Sequence, residues 1–92
     1  MYNRLAAARR RYLRTHKNGI YTGMLLEEAL ENHLKAVGES AQLMFDRLVE
    51  QMKKAEGITE QLKAEDQMEW VERMNNIRQR AEEIVLNDLI YN

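Results

Sequence analysis

Ninety-two residues, 45% hydrophobic and 32% charged with no proline, describe one small domain rich in helix formers and too short to join a catalytic domain to a binding domain. The absence of cysteine excludes a disulfide framework, a thiolate metal site and a cysteine nucleophile, so packing has to hold the fold. The net charge of -1 conceals a split, because the first seventeen residues carry six cations and no acid while the remaining seventy-five carry eight basic and fifteen acidic side chains. One end of the chain is thereby marked for nucleic acid or another acidic surface.

The first predicted helix runs from Tyr2 to Lys17 and closes at Asn18-Gly19, with Tyr2, Leu5, Ala8, Tyr12 and Leu13 on one side and basic residues over the rest. A second, from Ile20 to about Val37, carries Tyr21, Leu25, Leu26, Ala29, Leu30, His33, Leu34 and Val37 at helical spacing, and Gly38 is expected to break it. Ser40 is a candidate N-cap for a third helix, with an apolar stripe of Ala41, Met44, Phe45, Leu48, Val49 and Met52 and a stop at Gly57. Thr59 can cap the short segment EQLKAE. In DQME, Asp66 stands three residues ahead of Glu69, the spacing of a capping box, so the last helix starts at Gln67 and continues to about Leu89.

Within that last helix, EWVERMNNIRQRAEEIV places two asparagines side by side, and asparagine is an indifferent helix residue. Trp70, Met74, Ile77, Ala81 and Ile84 define the apolar face, widened by Val71, Val85 and Leu89. Asn76 falls opposite, on the wet side. Asn75 falls at the margin of the apolar arc and Arg78 within it, where an unpaired amide costs about 1–3 kcal/mol, so both are expected to find partners on another helix or on a bound protein.

The run FDRLVEQMKKAEGITEQLKAEDQMEWVERMNNIRQRAEEIVLNDLIY is similar to the C-terminal half of the TnpV family of transposon-encoded proteins, and RRRYLRTHKNGIYTGMLL resembles a segment further upstream. The similarity covers roughly residues 9 to 91, with EEALENHLKAVGESA only loosely alike and the family's further N-terminal segment without a counterpart, which implies a chain truncated at its N-terminus. The resemblance implies a small accessory protein of a bacterial mobile element. It supplies no catalytic residue.

The residues themselves argue against an enzyme. The acids look like solvated helix faces rather than a carboxylate cluster for divalent metal, Ser40 and the tyrosines look like cap and core edge, and His16 and His33 have no metal-ligand spacing. A helix-turn-helix in ITEQLKAEDQMEWVERMNNIR is opposed by Asp66, Glu69 and Glu72 at the start of its recognition helix, which phosphates repel. No catalytic residue, cofactor, metal or small-molecule substrate is expected.

The expectation is an all-α bundle of four main helices plus one short turn, spanning residues 1–92 as a single domain, with Phe45, Leu48, Met52, Trp70, Met74, Ile77, Ala81 and Ile84 at its centre. Arg4, Arg9, Arg10, Arg11, Arg14 and Lys17 are the candidate contacts to DNA or to the element's recombination proteins. Glu65, Asp66, Glu69, Glu72, Asn75 and Arg78 are the candidate protein-binding residues. Their acidic members, with Glu82 and Glu83, suit the alternative of an anti-CRISPR-type inhibitor that occupies the basic channel of a defence nuclease. No apolar run approaches the ~18 residues of a membrane span and the start MYNRLAAARRRYLR lacks the apolar core of a secretory signal, so the expected location is cytoplasmic. The sequence does not decide between monomer and homodimer.

Overall fold

The computed structural model describes residues 3–92, and every regular element among them is helical: α1 Arg4–His16, α2 Asn18–Leu26, α3 Leu30–Ala55, α4 Glu60–Glu65 and α5 Gln67–Val85, the last continuing as a π-helical turn, Leu86–Ile90. The side predicted for Tyr2 lies outside the described residues. The architecture is the expected all-α bundle, drawn out to 55 × 20 × 19 Å because α3, about 39 Å long at 1.5 Å per residue, sets its length.

Three apolar clusters follow one another along α3. Leu30 and Leu34 meet Ala6 and Leu13 of α1, with Tyr21 and Met24 of α2 packed against them. Ala41 meets Leu5, Val85 and Ile90, with Phe45 and Leu48 alongside. Val49 and Met52 close on Ile58, Met74 and Ile77, beside Leu62 and Trp70. Of the expected central residues, Met74, Ile77 and Ala81 are buried, while Phe45, Leu48, Met52 and Trp70 are half-buried. Ile84 and Val71 are exposed, because the buried line of α5 runs through Met74, Ile77, Ala81 and Val85 and leaves them beside it.

The main departure from the sequence reading lies between residues 26 and 41. Gly38 does not end a helix and Ser40 does not cap one, since both lie inside α3. Gly38 is where α1 crosses α3: a Cβ there would stand 2.8 Å from the Ala6 Cβ and 2.9 Å from Asn3 Oδ1, closer than packed atoms tolerate. Asn3 seals the crossing. Its Oδ1 accepts from the Ala6 amide at 2.9 Å, capping α1, while its Nδ2 donates to the Gly38 carbonyl at 3.0 Å.

The actual break falls at Glu27–Ala29. Glu28 adopts the left-handed conformation at φ 58°, and the Glu28 and Ala29 amides donate to the carbonyls of Leu25 and Met24. The same pair of bonds recurs at Gly57, φ 67°, whose amide and that of Ile58 donate to Lys54 and Lys53. In sequence the glycine version is conspicuous and the glutamate version is not. The α1–α2 junction falls at Lys17 without a left-handed glycine, and Gly19 lies within α2. Thr59 and Asp66 cap α4 and α5 through the Leu62 and Glu69 amides, both at 3.1 Å. The Glu69 carboxylate turns to Arg73 instead of completing a capping box.

The N- and C-terminal segments are joined by Arg9. Its guanidinium is buried and donates through Nη1 to the main-chain oxygen of Ile90 at 2.7 Å and of Asn92 at 2.9 Å, and through Nε to His33 Nε2 at 3.3 Å. Accepting from Arg9 requires the neutral imidazole with its proton on Nδ1. Burial first, and the Arg9 charge second, hold the His33 pKa below its ordinary value, while burial draws that of Arg9 down against an opposing pull from Tyr12.

Three predictions follow from these contacts, each read by urea unfolding. Gly38→Ala is expected to destabilise by about 1–3 kcal/mol, whereas Gly23→Ala, at a helical glycine with open space around it, is expected to stabilise by about 0.5–1 kcal/mol. Glu28→Gly is expected to stabilise by about 1 kcal/mol by removing the left-handed penalty. Folded His33 binds fewer protons than unfolded His33, so its contribution is complete above pH ~6.5 and is lost as the pH falls from there towards the lowered folded pKa. The unfolding midpoint is therefore expected to drop between pH 7.5 and 5, and to drop less in His33→Gln; equal drops would place the titration elsewhere.

Candidate nucleic-acid interface

The cations of α1 divide into those the fold consumes and those it presents. Arg9, expected as a phosphate contact, is corrected to an internal tie: its donors are spent on Ile90, Asn92 and His33, and it is buried. Arg4 is exposed but engaged, donating to Glu82 at 2.5 Å and Gln42 at 3.2 Å with its guanidinium 4.9 Å from the Phe45 ring centre. Half-buried Arg10 reaches the Tyr21 hydroxyl at 3.4 Å. Arg11, Arg14 and Lys17 are exposed and have no acidic partner within 4.0 Å among the described residues. With the burial of Leu5, Ala6, Arg9 and Leu13 fixing the inner face of α1, Arg11 and Arg14 form a ridge on its outer side, flanked by Arg10 towards α2 and followed by Lys17 at the C-cap.

Beside this ridge lies an open groove of about 560 Å³ lined by Ala8, Arg11, Tyr12, Thr15, His16 and Tyr91. The rings of Tyr12 and His16, one turn apart, stack with centres 4.9 Å apart and planes 16° from parallel, and Tyr91 approaches Tyr12 at 5.4 Å, tilted by 37°. Arg11 belongs to both features, standing in the ridge and in the groove wall. Sequence reading placed Tyr12 at the core edge and gave Tyr91 no role. Tyr12 and His16 share a helix face by their i, i+4 spacing, but nothing local brings in a tyrosine seventy-nine positions away; the Arg9 tie does so.

The acidic candidates lie at the other end of α3. Glu65 accepts from Gln61 at 3.0 Å, Asp66 caps α5, and Glu69 pairs with Arg73 at 2.8 Å. Glu72 lines a shallow groove of about 280 Å³ with Gln67, Met68 and Val71, in which Met68 is 76% exposed. For Asn75 and Arg78 the expected partner on another helix is corrected: both are exposed, with no side-chain hydrogen bond among the described residues, because the buried line of α5 leaves them in solvent. Asn76 is exposed, as its position on the wheel implies. Glu82 is taken up by Arg4 and Glu83 is exposed.

Among the described residues no group of three or more His, Cys, Asp or Glu side chains is placed to hold a metal, and no helix is long and apolar enough to cross a membrane. Neither the curated proteins nor the solved structures contain a match. The family model described as transposon-encoded protein TnpV, however, matches residues 2–90, including the middle segment EEALENHLKAVGESA. The helical chain with the basic ridge belongs to the TnpV family of transposon-encoded proteins.

Proposed function

We propose that this chain is a non-enzymatic accessory protein of a bacterial mobile element that binds DNA through the outer face of α1. The observation that carries the reading is the set Arg11, Arg14 and Lys17, exposed and without acidic partners, continued by Arg10 on a helix that contains no acid. Three or four cations spaced along a helix neutralise a comparable number of phosphates, and the counterions they release make affinity fall with salt at a slope of roughly -3 in log–log form. The remaining helices act as scaffold. The same ridge suits an acidic surface on a recombination protein of the element, which would show the same salt dependence with a protein ligand.

A second reading is favoured by the opposite end of the molecule. Exposed Met68 and Val71 share a groove with Glu72 on a stretch of chain that also carries Glu65, Asp66 and Glu69, an apolar anchor in an acidic segment that suits docking in a basic channel, as an anti-CRISPR-type inhibitor of a nuclease requires.

Fluorescence anisotropy with labelled duplex DNA at low and physiological salt separates the two. Binding is expected at low salt, weakening as salt rises, and is expected to disappear in a variant carrying Arg10→Glu, Arg11→Glu and Arg14→Glu that keeps wild-type helicity. Undiminished binding by that variant, or binding of neither duplex nor single-stranded DNA by the wild type, would refute the ridge and leave Met68→Glu in a nuclease-inhibition assay as the next test.

A further inference from the structure

The groove beside the basic ridge has features that phosphate binding does not use. A cationic helix face is sufficient for duplex DNA, whose bases are stacked and turned inward. Here the ridge borders an open cleft whose wall carries three aromatic rings drawn from both ends of the chain, Tyr12 and His16 from α1 and Tyr91 from beyond the π-helical turn. His16 is exposed and Tyr91 is 48% exposed, so ring surface is open to solvent although the fold has buried residues on either side, Leu13 and Ile90. The floor is small and uncharged at Ala8 and Thr15, and the Thr15 hydroxyl is turned back onto the Arg11 carbonyl instead of facing a ligand.

We propose that this groove accepts unpaired bases of a single-stranded nucleic acid whose phosphates run along Arg11, Arg14 and Lys17. The inference rests on the nucleic-acid reading of the ridge and adds to it the state of the strand. Stacking platforms flanked by cations are the general solution for holding single strands without reading sequence, since every base has a π-face and only unstacked bases offer it. Arg11 links the two halves of the site: as groove wall it borders the base, and as ridge member it faces the backbone. The occupant is fixed by this charge complementarity, because an aromatic cleft bordered by Arg11, with exposed Arg14 and Lys17 further along, suits an anionic ligand with flat apolar faces. His16 and Tyr91 carry the open stacking surface, with Tyr12 behind them holding both rings in place.

The test uses three labelled oligonucleotides of equal length: a single strand, its duplex, and a single strand of abasic sites that keeps the phosphates and removes the bases. The single strand is expected to bind more tightly than the abasic strand. Tyr91→Ala and His16→Ala are each expected to weaken single-strand binding about five- to a hundredfold, the loss of one base stack, while leaving the abasic strand unchanged. Tyr91→Phe, which keeps the ring, is expected to restore binding, and thermal unfolding of each variant checks that the fold persists. Equal affinity for normal and abasic strands, or equal losses on both, would overturn the groove while leaving the ridge intact. Duplex binding unchanged by Tyr91→Ala, with no single-strand preference, would do the same and point the groove towards a peptide. Failure of all three oligonucleotides to bind would remove both readings together.

Discussion

The approach of α1 to α3 at Ala6 and Gly38 is the constraint on which the rest of the molecule depends. A 26-residue helix cannot bury its own apolar stripe, and its first half is covered only because α1 comes close enough for Leu5, Ala6 and Leu13 to reach Ala41, Leu34 and Leu30. One methyl group at Gly38 would prop the helices apart. Asn3 serves the same contact twice, closing the start of α1 and tying it to the Gly38 carbonyl. The direction of α1 is thereby fixed, and with it the outward aim of Arg11 and Arg14.

Much of this was legible in the sequence, and the errors have a common cause. Helix type, the stop at Gly57 and the caps at Thr59 and Asp66 are local matters of spacing and backbone chemistry, and they stand. Gly38 misled because a glycine in a helical pattern signals either a break or a close approach, and only the partner helix distinguishes the two. Glu28 misled in the opposite sense, since a left-handed cap on a glutamate has no local signature and is imposed by both flanking helices packing on α1. At the candidate site, the charge of α1 was plain. That the fold consumes Arg9 and engages Arg4, and that Tyr91 arrives beside Tyr12, depend on contacts across most of the chain and have no trace in local pattern. Asn75, placed at an apolar margin by the wheel, sits in water because the buried line of α5 is narrower than the run of apolar residues suggests.

The elongated shape keeps unlike surfaces apart. The exposed cations and aromatic groove belong to the end of the rod where α3 begins, together with α2, which has no charged residue and leaves Ile20, Leu25 and Leu26 exposed. Exposed Glu60 and Glu65 of α4 and Glu72 of early α5 belong to the far end, where Glu72 shares a shallow groove with Met68. Over such a separation, several Debye lengths at physiological salt, the acidic end does little to weaken an anionic ligand at the basic end. A chain of nearly zero net charge therefore presents a basic face and an acidic face at opposite ends.

The Arg9 tie has a consequence for how the protein is made. Its acceptors Ile90 and Asn92 lie 81 and 83 positions along the chain, so the guanidinium on α1 has neither of them until residues 90–92 have left the ribosome. Until then His33 is the one of these partners that Arg9 can reach, and the Tyr12 side of the helix lacks Tyr91. The nascent chain can form its helices one by one as they emerge, but closure of the basic end waits for residues 90–92. A chain that stops short of residue 90 would leave α1 without this tie, so two segments far apart in sequence have to be present together before the basic end takes its folded form.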